Sequence, residues 1–147
     1  MSLSMPNARA LRASDVMTPD PRTCSNYSSV LEAVMIFRDA DCGIVPVLED
    51  GKPVGVLTDR DVALAVGEYP DLPGCPVTDL MSRGVISVTP DTPMPAVVAK
   101  FGEAGVRRLL VIDGSDQLLG IISFEDIARH ITENSLGQAM SDILEQS

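Results

Sequence analysis

The chain has 147 residues, 45% of them apolar, and its 21 acidic side chains outnumber 11 basic ones to give a formal net charge of −10. That balance disfavours duplex DNA or RNA as a main partner, because neutralising a phosphate backbone takes clustered lysine and arginine. Aromatic residues make up only 3% and tryptophan is absent, so the core must be built from Val, Ile, Leu, Ala and Met, which suits parallel strands covered by helices.

In chain order, a short strand is expected at Arg22–Cys24. A helix follows over Ser28–Ala40, where Val30, Leu31, Val34, Met35 and Phe37 recur at helical spacing and Ser28 or Ser29 can cap. Ile44–Leu48 reads as a strand, and Glu49–Lys52 as a turn rich in residues that tolerate positive φ. Val54–Leu57 is a second strand, entering a helix at Thr58. Gly67–Val77, rich in Gly and Pro, reads as a linker. The series then recurs: strand Ile86–Val88, helix Thr92–Ala104, strand Arg108–Ile112, turn Asp113–Asp116, strand Leu118–Ile122 and a helix from Ser123. Pro93 and Pro95 are acceptable only because they fall in a first helical turn. Ser135–Leu144 reads as a final amphipathic helix carrying Leu136, Met140, Ile143 and Leu144.

The recurrence extends to residue identity. Val16-Met17-Thr18 returns as Leu80-Met81-Ser82, 64 residues on; Phe37 returns as Phe101, Ala40 as Ala104 and Val47 as Val111. One extra residue in the second turn shifts the offset to 65, and Gly55-Val-Leu-Thr58-Asp-Arg-Asp61 pairs with Gly120-Ile-Ile-Ser123-Phe-Glu-Asp126. The chain is therefore two copies of a strand–helix–strand–strand–helix unit, residues 14–66 and 78–131, with a linker at 67–77 and a tail at 132–147. One unit of about 55 residues buries too little surface to stand alone, so two copies sharing their apolar faces have a folding rationale.

No apolar run approaches the roughly 20 residues that span a bilayer, and the N-terminus lacks the pattern of a secretory signal. Cys24, Cys42 and Cys75 share no metal-ligand spacing and read as free thiols in a reducing, cytoplasmic compartment. The lone His130 excludes a His-rich metal site and reads as a surface residue. Met1–Ser4 is expected to be a cloning remnant, with Met5 the natural start. No G-x-S-x-G elbow, P-loop lysine, HExxH or Cys–His arrangement is present, so no catalysis and no catalytic cofactor are expected.

The segments Asp15-Val-Met-Thr18-Pro, Gly43-Ile-Val-Pro46-Val47 and Gly55-x-x-Thr58-x-x-Asp61 of the first copy answer to Asp79-Leu-Met-Ser82, Val106-Arg-Arg-Leu-Leu-Val111 and Gly120-x-x-Ser123-x-x-Asp126 in the second. In these residues the sequence resembles the cystathionine-β-synthase-like (CBS) domain family. The resemblance implies a Bateman module of mixed α/β (α+β) class, two β-α-β-β-α repeats packed with pseudo-two-fold symmetry. It further implies clefts for adenosine-containing ligands, homodimers, and a regulatory output delivered in trans to a protein partner that the sequence does not name.

The Gly-x-x-Thr/Ser-x-x-Asp segments have a physical logic for such a ligand. Glycine permits close approach of a ring or sugar. A hydroxyl and a carboxylate three positions apart at a helix start lie on one face, where the carboxylate can accept both hydrogens of a ribose diol. The same pair also spells a capping box that merely satisfies backbone donors, and the two roles can coexist.

By family analogy, one cleft would combine Thr58 and Asp61 with Ser82, Ile86, Val106, Arg107 and Leu110. The other would combine Ser123 and Asp126 with Thr18, Arg22, Cys42, Gly43 and Pro46. Backbone groups beside the second strand would read the adenine edge. Arg107 and Arg108 stand where family members carry phosphate-holding basic residues, which makes the Thr58/Asp61 cleft the expected phosphate site. The plainer alternative for these arginines is a solvated edge with salt bridges to Glu103 or Asp113, and Arg60 and Arg83 are weaker phosphate candidates. Phe124 in place of Asp59, and Arg22 where a small or apolar residue is usual, are departures from the pattern. The expected ligand is an adenine nucleotide of the AMP, ADP or ATP class. The alternatives are S-adenosylmethionine, a dinucleotide, or an interaction module whose clefts stay empty.

Overall fold

A computed structural model describes residues 11–130. The fold is mixed α+β, with a three-stranded and a four-stranded sheet. The elements are α1 (Ala13–Val16), β1 (Thr18–Pro19), β2 (Cys24–Ser25), α2 (Val30–Ala40), β3 (Ile44–Glu49), β4 (Lys52–Thr58) and α3 (Asp59–Ala65). Short 3₁₀ turns at Leu72–Gly74 and Val77–Asp79 lead to β5 (Ser87–Val88), α4 (Met94–Ala104), β6 (Arg108–Ile112) and β7 (Leu118–Ser123). Residues 124–130 are helical and form α5. The expected helix over 135–144 and the tail 132–147 lie outside the described residues, as do residues 1–10.

Helix limits follow local chemistry. Both long helices start two residues later than the apolar spacing suggests. Ser29 caps α2 by accepting from the Glu32 N–H at 3.2 Å, while Ser28 turns back to accept from the Ser25 N–H at 3.0 Å. Thr92 does the same for Thr89 at 3.1 Å, leaving Pro93 as the residue before α4. The stops are both left-handed: Asp41 at φ 50° ends α2 and Gly105 at φ 64° ends α4. The β3–β4 hairpin closes through Asp50 and Gly51, both at positive φ, between the paired Glu49 and Lys52. That is the two-residue turn whose twist matches flanking strands.

The chain folds as two compact units, each containing residues from both sequence copies. One is Asp20–Ile86 with Ile112–Leu119. The other gathers the segment ending at Pro19, Ser87–Val111 and the segment from Gly120. In the first, β2 runs parallel to β3 and β3 antiparallel to β4. Ala33, Val45, Val47, Leu57, Val77 and Met81 form its core. In the second, β5 runs parallel to β6 and β1 antiparallel to β7. Val97, Phe101, Leu109, Val111, Ile122 and Ile127 are buried there, and Phe101 meets Phe124 edge to face at 5.8 Å.

Candidate functional site

Each closing segment forms a reciprocal capping box. The Thr58 N–H donates to Asp61 Oδ2 at 2.9 Å, and the Asp61 N–H donates to Thr58 Oγ1 at 3.1 Å. The second copy is looser on one side: the Ser123 N–H reaches Asp126 Oδ2 at 3.4 Å, and the Asp126 N–H reaches Ser123 Oγ at 3.1 Å. The hydroxyls and carboxylates are thus preorganised by the backbone they cap, and one oxygen of each carboxylate is spent on it.

The segment leading into each repeat runs beside the last strand of the other. Thr18 pairs with Ile121, two residues before Ser123. Ser82 pairs with Val56, two residues before Thr58, through reciprocal bonds of 2.9 and 3.0 Å. Directly opposed residues of an antiparallel pair share a face, and so do positions two apart along a strand. Thr18 and Ser123 therefore point to one side of their sheet, and Ser82 and Thr58 to one side of theirs. The motif glycines make this approach possible. A Cβ at Gly55 would sit 2.6 Å from Met81 Sδ and 2.8 Å from Ser82 O, and one at Gly120 would sit 2.5 Å from Met17 Sδ and 2.8 Å from Thr18 O. The space that glycine frees is filled by the chain's own lead-in segment, where the sequence suggests room for a ligand.

The preceding strands supply further backbone. The Gly43 carbonyl accepts the Asp59 N–H at 3.1 Å, and the Arg107 carbonyl accepts the Phe124 N–H at 2.8 Å. Each keeps one lone pair for another donor. Pro46 lies opposite Val56, whose N–H and C=O both turn to Ser82. Proline's missing N–H therefore costs that pairing nothing.

The two copies differ in charge. Asp61 Oδ1 has no partner among the described residues, and the residue three positions on is Leu64, 65% exposed. Asp126 Oδ1 accepts from Arg129 Nη2 at 3.2 Å. Asp61 lines an open depression of about 220 Å³ with Leu64, Ala65, Glu68, Tyr69, Asp79 and Leu80, among which no side chain is cationic. Arg107 donates to Glu125 at 2.6 Å, not to Glu103 or Asp113, and both partners are exposed. This hydrogen bond, with the positive charges of Arg107 and Arg108, holds the Glu125 carboxyl below its usual range. Burial pushes the Cys24 thiol up to about 11 despite a hydrogen bond from Ser28.

Of the residues expected at the site, Thr58, Asp61, Ser82, Ile86, Arg22, Cys42, Gly43 and Pro46 fall in one unit. Thr18, Ser123, Asp126, Val106, Arg107, Arg108 and Leu110 fall in the other. Thr18, Ser82, Arg22 and Arg107 are exposed; Thr58, Asp61, Ser123, Asp126, Cys42, Gly43, Ile86, Val106 and Arg108 are half-buried. Leu110 and Pro46 are buried, so what they can offer is backbone. Sequence reasoning passed over Arg129, although its spacing from Asp126 is the i, i+3 signature of a helical ion pair. Among the described residues no group of three or more His, Cys, Asp or Glu is placed to hold a metal ion. No described helix is long and apolar enough to cross a membrane.

The CBS domain profile matches residues 13–68 and again 77–133. The chain belongs to the CBS-domain family. A relative is the CBS domain-containing protein YhcV of Bacillus subtilis, 30% identical over 134 residues that cover 90% of this chain and 95% of that one. Among solved structures, the CBS domain pair of protein MJ0100 in complex with 5′-methylthioadenosine and S-adenosyl-L-methionine superposes with a TM-score of 0.77. It is 25% identical and covers 85% of this chain and 98% of its own. CBSX2 in complex with AMP gives a TM-score of 0.74 at 23% identity over 84% of this chain and 98% of its own, a likeness of fold. The CBS pair here thus shares its architecture with pairs that hold adenosine ligands.

Proposed function

We propose that this CBS pair is a regulatory module that binds an adenosine-containing small molecule and passes the signal in trans, as a homodimer, to a protein target. One site is built on Thr58 and Asp61 with Ser82, the other on Ser123 and Asp126 with Thr18. The observation that carries the reading is the carboxylate of Asp61. It is fixed by its cap through Oδ2, keeps Oδ1 unpartnered among the described residues, and lines an open depression. A carboxylate so placed can accept both hydroxyls of a ribose. The Ser82 hydroxyl lies on the same face as the Thr58 hydroxyl, within the same unit. Where the ligand carries phosphates, Arg107 and Arg108 are the proposed contacts within the unit that holds Ser123 and Asp126. An exposed salt bridge such as Arg107–Glu125 is weak and exchanges readily for a bidentate phosphate contact.

S-adenosylmethionine is a second reading, favoured by the depression beside Asp61. Glu68 and Asp79 join Asp61 there without a cation, a field that suits a neutral or positively charged adenosyl compound better than a polyphosphate. Thermal melts with AMP, ADP, ATP and S-adenosylmethionine test both readings. A ligand at 100 times its dissociation constant adds roughly 2.7 kcal/mol, about 5–10 °C for a chain of this size. A shift with any of the four supports the module, and its rank order decides between the readings. No shift with all four would contradict both.

A further inference from the structure

We propose that Arg129 sets the two sites apart: it occupies the carboxylate oxygen that a ribose diol needs at Asp126, so that a neutral nucleoside fills the Asp61 site first. The inference rests on the reading that both carboxylates bind ribose, and goes beyond it by naming the residue that ranks them.

A diol bound to a carboxylate uses both oxygens, and in each copy Oδ2 is already shared with the cap N–H. The difference lies at Oδ1. Arg129 Nη2 holds it at Asp126, from a position three residues along α5. At Asp61 the same position on α3 is Leu64, which can donate nothing. Arg129 is 63% exposed and the Asp126 side chain 22%, so the guanidinium stays solvated while it holds the carboxylate. Leu64, 65% exposed, lines the open depression beside Asp61 and offers its carboxylate no donor. An oxygen has two lone pairs, so Arg129 competes for one and crowds the other without sealing the site. As an exposed i, i+3 pair it is a weak competitor, worth about two- to fivefold in affinity, up to about 1 kcal/mol. It is also screened by salt, which acts on the pair but on no comparable contact at Asp61.

Adenosine is the probe, because it carries the diol and no phosphate from which Arg129 could gain. D61N and D126N isolate one site each: asparagine keeps an oxygen for the cap but offers no second acceptor oxygen to a diol. By isothermal titration, D126N protein binds adenosine at least two- to fivefold more tightly than D61N protein. Adding R129L to D61N raises the affinity by about that factor, and adding L64R to D126N lowers it by about the same. Raising the salt strengthens adenosine binding in D61N protein and not in D61N/R129L. Residues 64 and 129 are solvent-facing, so both variants should stay folded, R129L giving up only the weak Arg129–Asp126 pair. Adenosine binding that R129L fails to strengthen and L64R fails to weaken overturns the role of Arg129 while leaving the ribose reading intact. No adenosine binding in wild type or any variant, with melts intact, overturns the ribose reading and this inference with it.

Discussion

Replacing Gly120 by alanine probes how the lead-in segment of one repeat sits on the closing strand of the other. Gly120 faces Pro19 across the β1–β7 pair, and an added Cβ would lie 2.5 Å from Met17 Sδ, 2.8 Å from Met17 Cγ and 2.8 Å from Thr18 O. Non-bonded carbon contacts are comfortable at about 3.5–4.0 Å, so something must give by about 1 Å. The Met17 side chain can swing away. The Thr18 carbonyl cannot move without opening the strand pair. Overpacking of this kind costs about 1–3 kcal/mol, which lowers the melting temperature by roughly 3–10 °C. Urea unfolding of G120A, M17A, G120A/M17A and G114A measures it. G114A is the control, because a Cβ there meets nothing within 4 Å, and it should stay within about 0.5 kcal/mol of wild type. G120A/M17A removes the sulfur clash and leaves the carbonyl one, so it should show that M17A costs less in the alanine background than in the wild type. A G120A protein as stable as G114A would refute the reasoning.

Thr58→Ala removes the cap oxygen of α3 and should cost about 1 kcal/mol without any ligand present, whereas Thr58→Ser should restore most of it; equal melts for the two variants would contradict the capping role. Cys24, with its thiol pushed up to about 11 from 9.0, should be the last of the three cysteines alkylated at pH 8, its thiolate roughly 100-fold scarcer than at the ordinary value. The folded protein holds that proton more tightly than the unfolded chain, so stability should fall as pH climbs from 9 towards 11, and Cys24→Ala should flatten that slope; early alkylation of Cys24 would contradict its burial. Arg107→Ala removes the bond that holds the Glu125 carboxyl low, so a carboxyl-detected NMR titration should show Glu125 moving up towards 4.5, and an unmoved titration would place the cause elsewhere.

The repeat and the element order were legible because they are local. The spacing of Val30, Val34 and Phe37 marks a helix, and Asp50–Gly51 marks a hairpin turn, whatever the rest of the chain does. The choice between Ser28 and Ser29 as cap was not legible. It turns on the Ser28 hydroxyl reaching back to the Ser25 N–H, a three-residue preference that competes with capping at similar energy. The pairing of Thr18 with Ile121 was hidden for a different reason. It joins residues about a hundred positions apart, and two residues of strand leave no periodicity to read. With it was hidden the reason for Gly55 and Gly120, which the motif suggests as ligand contacts and the structure shows accommodating Met81 and Met17. The unequal charge at Asp61 and Asp126 was written in Leu64 and Arg129 all along. An i, i+3 Asp–Arg pair is common on exposed helices and attracts notice only once the carboxylate is known to sit at a candidate site.

The most direct test of the account is isothermal titration of AMP and S-adenosylmethionine into protein stripped of bound ligand by unfolding and refolding, with wild type, Asp61→Ala and Asp126→Ala side by side. The account predicts binding of at least one of them to wild type and a loss of about tenfold or more at the altered site, since a charged hydrogen bond to a ligand contributes about 1.5–3 kcal/mol. Binding that survives both substitutions unchanged, or no binding by a folded wild-type protein, would contradict it.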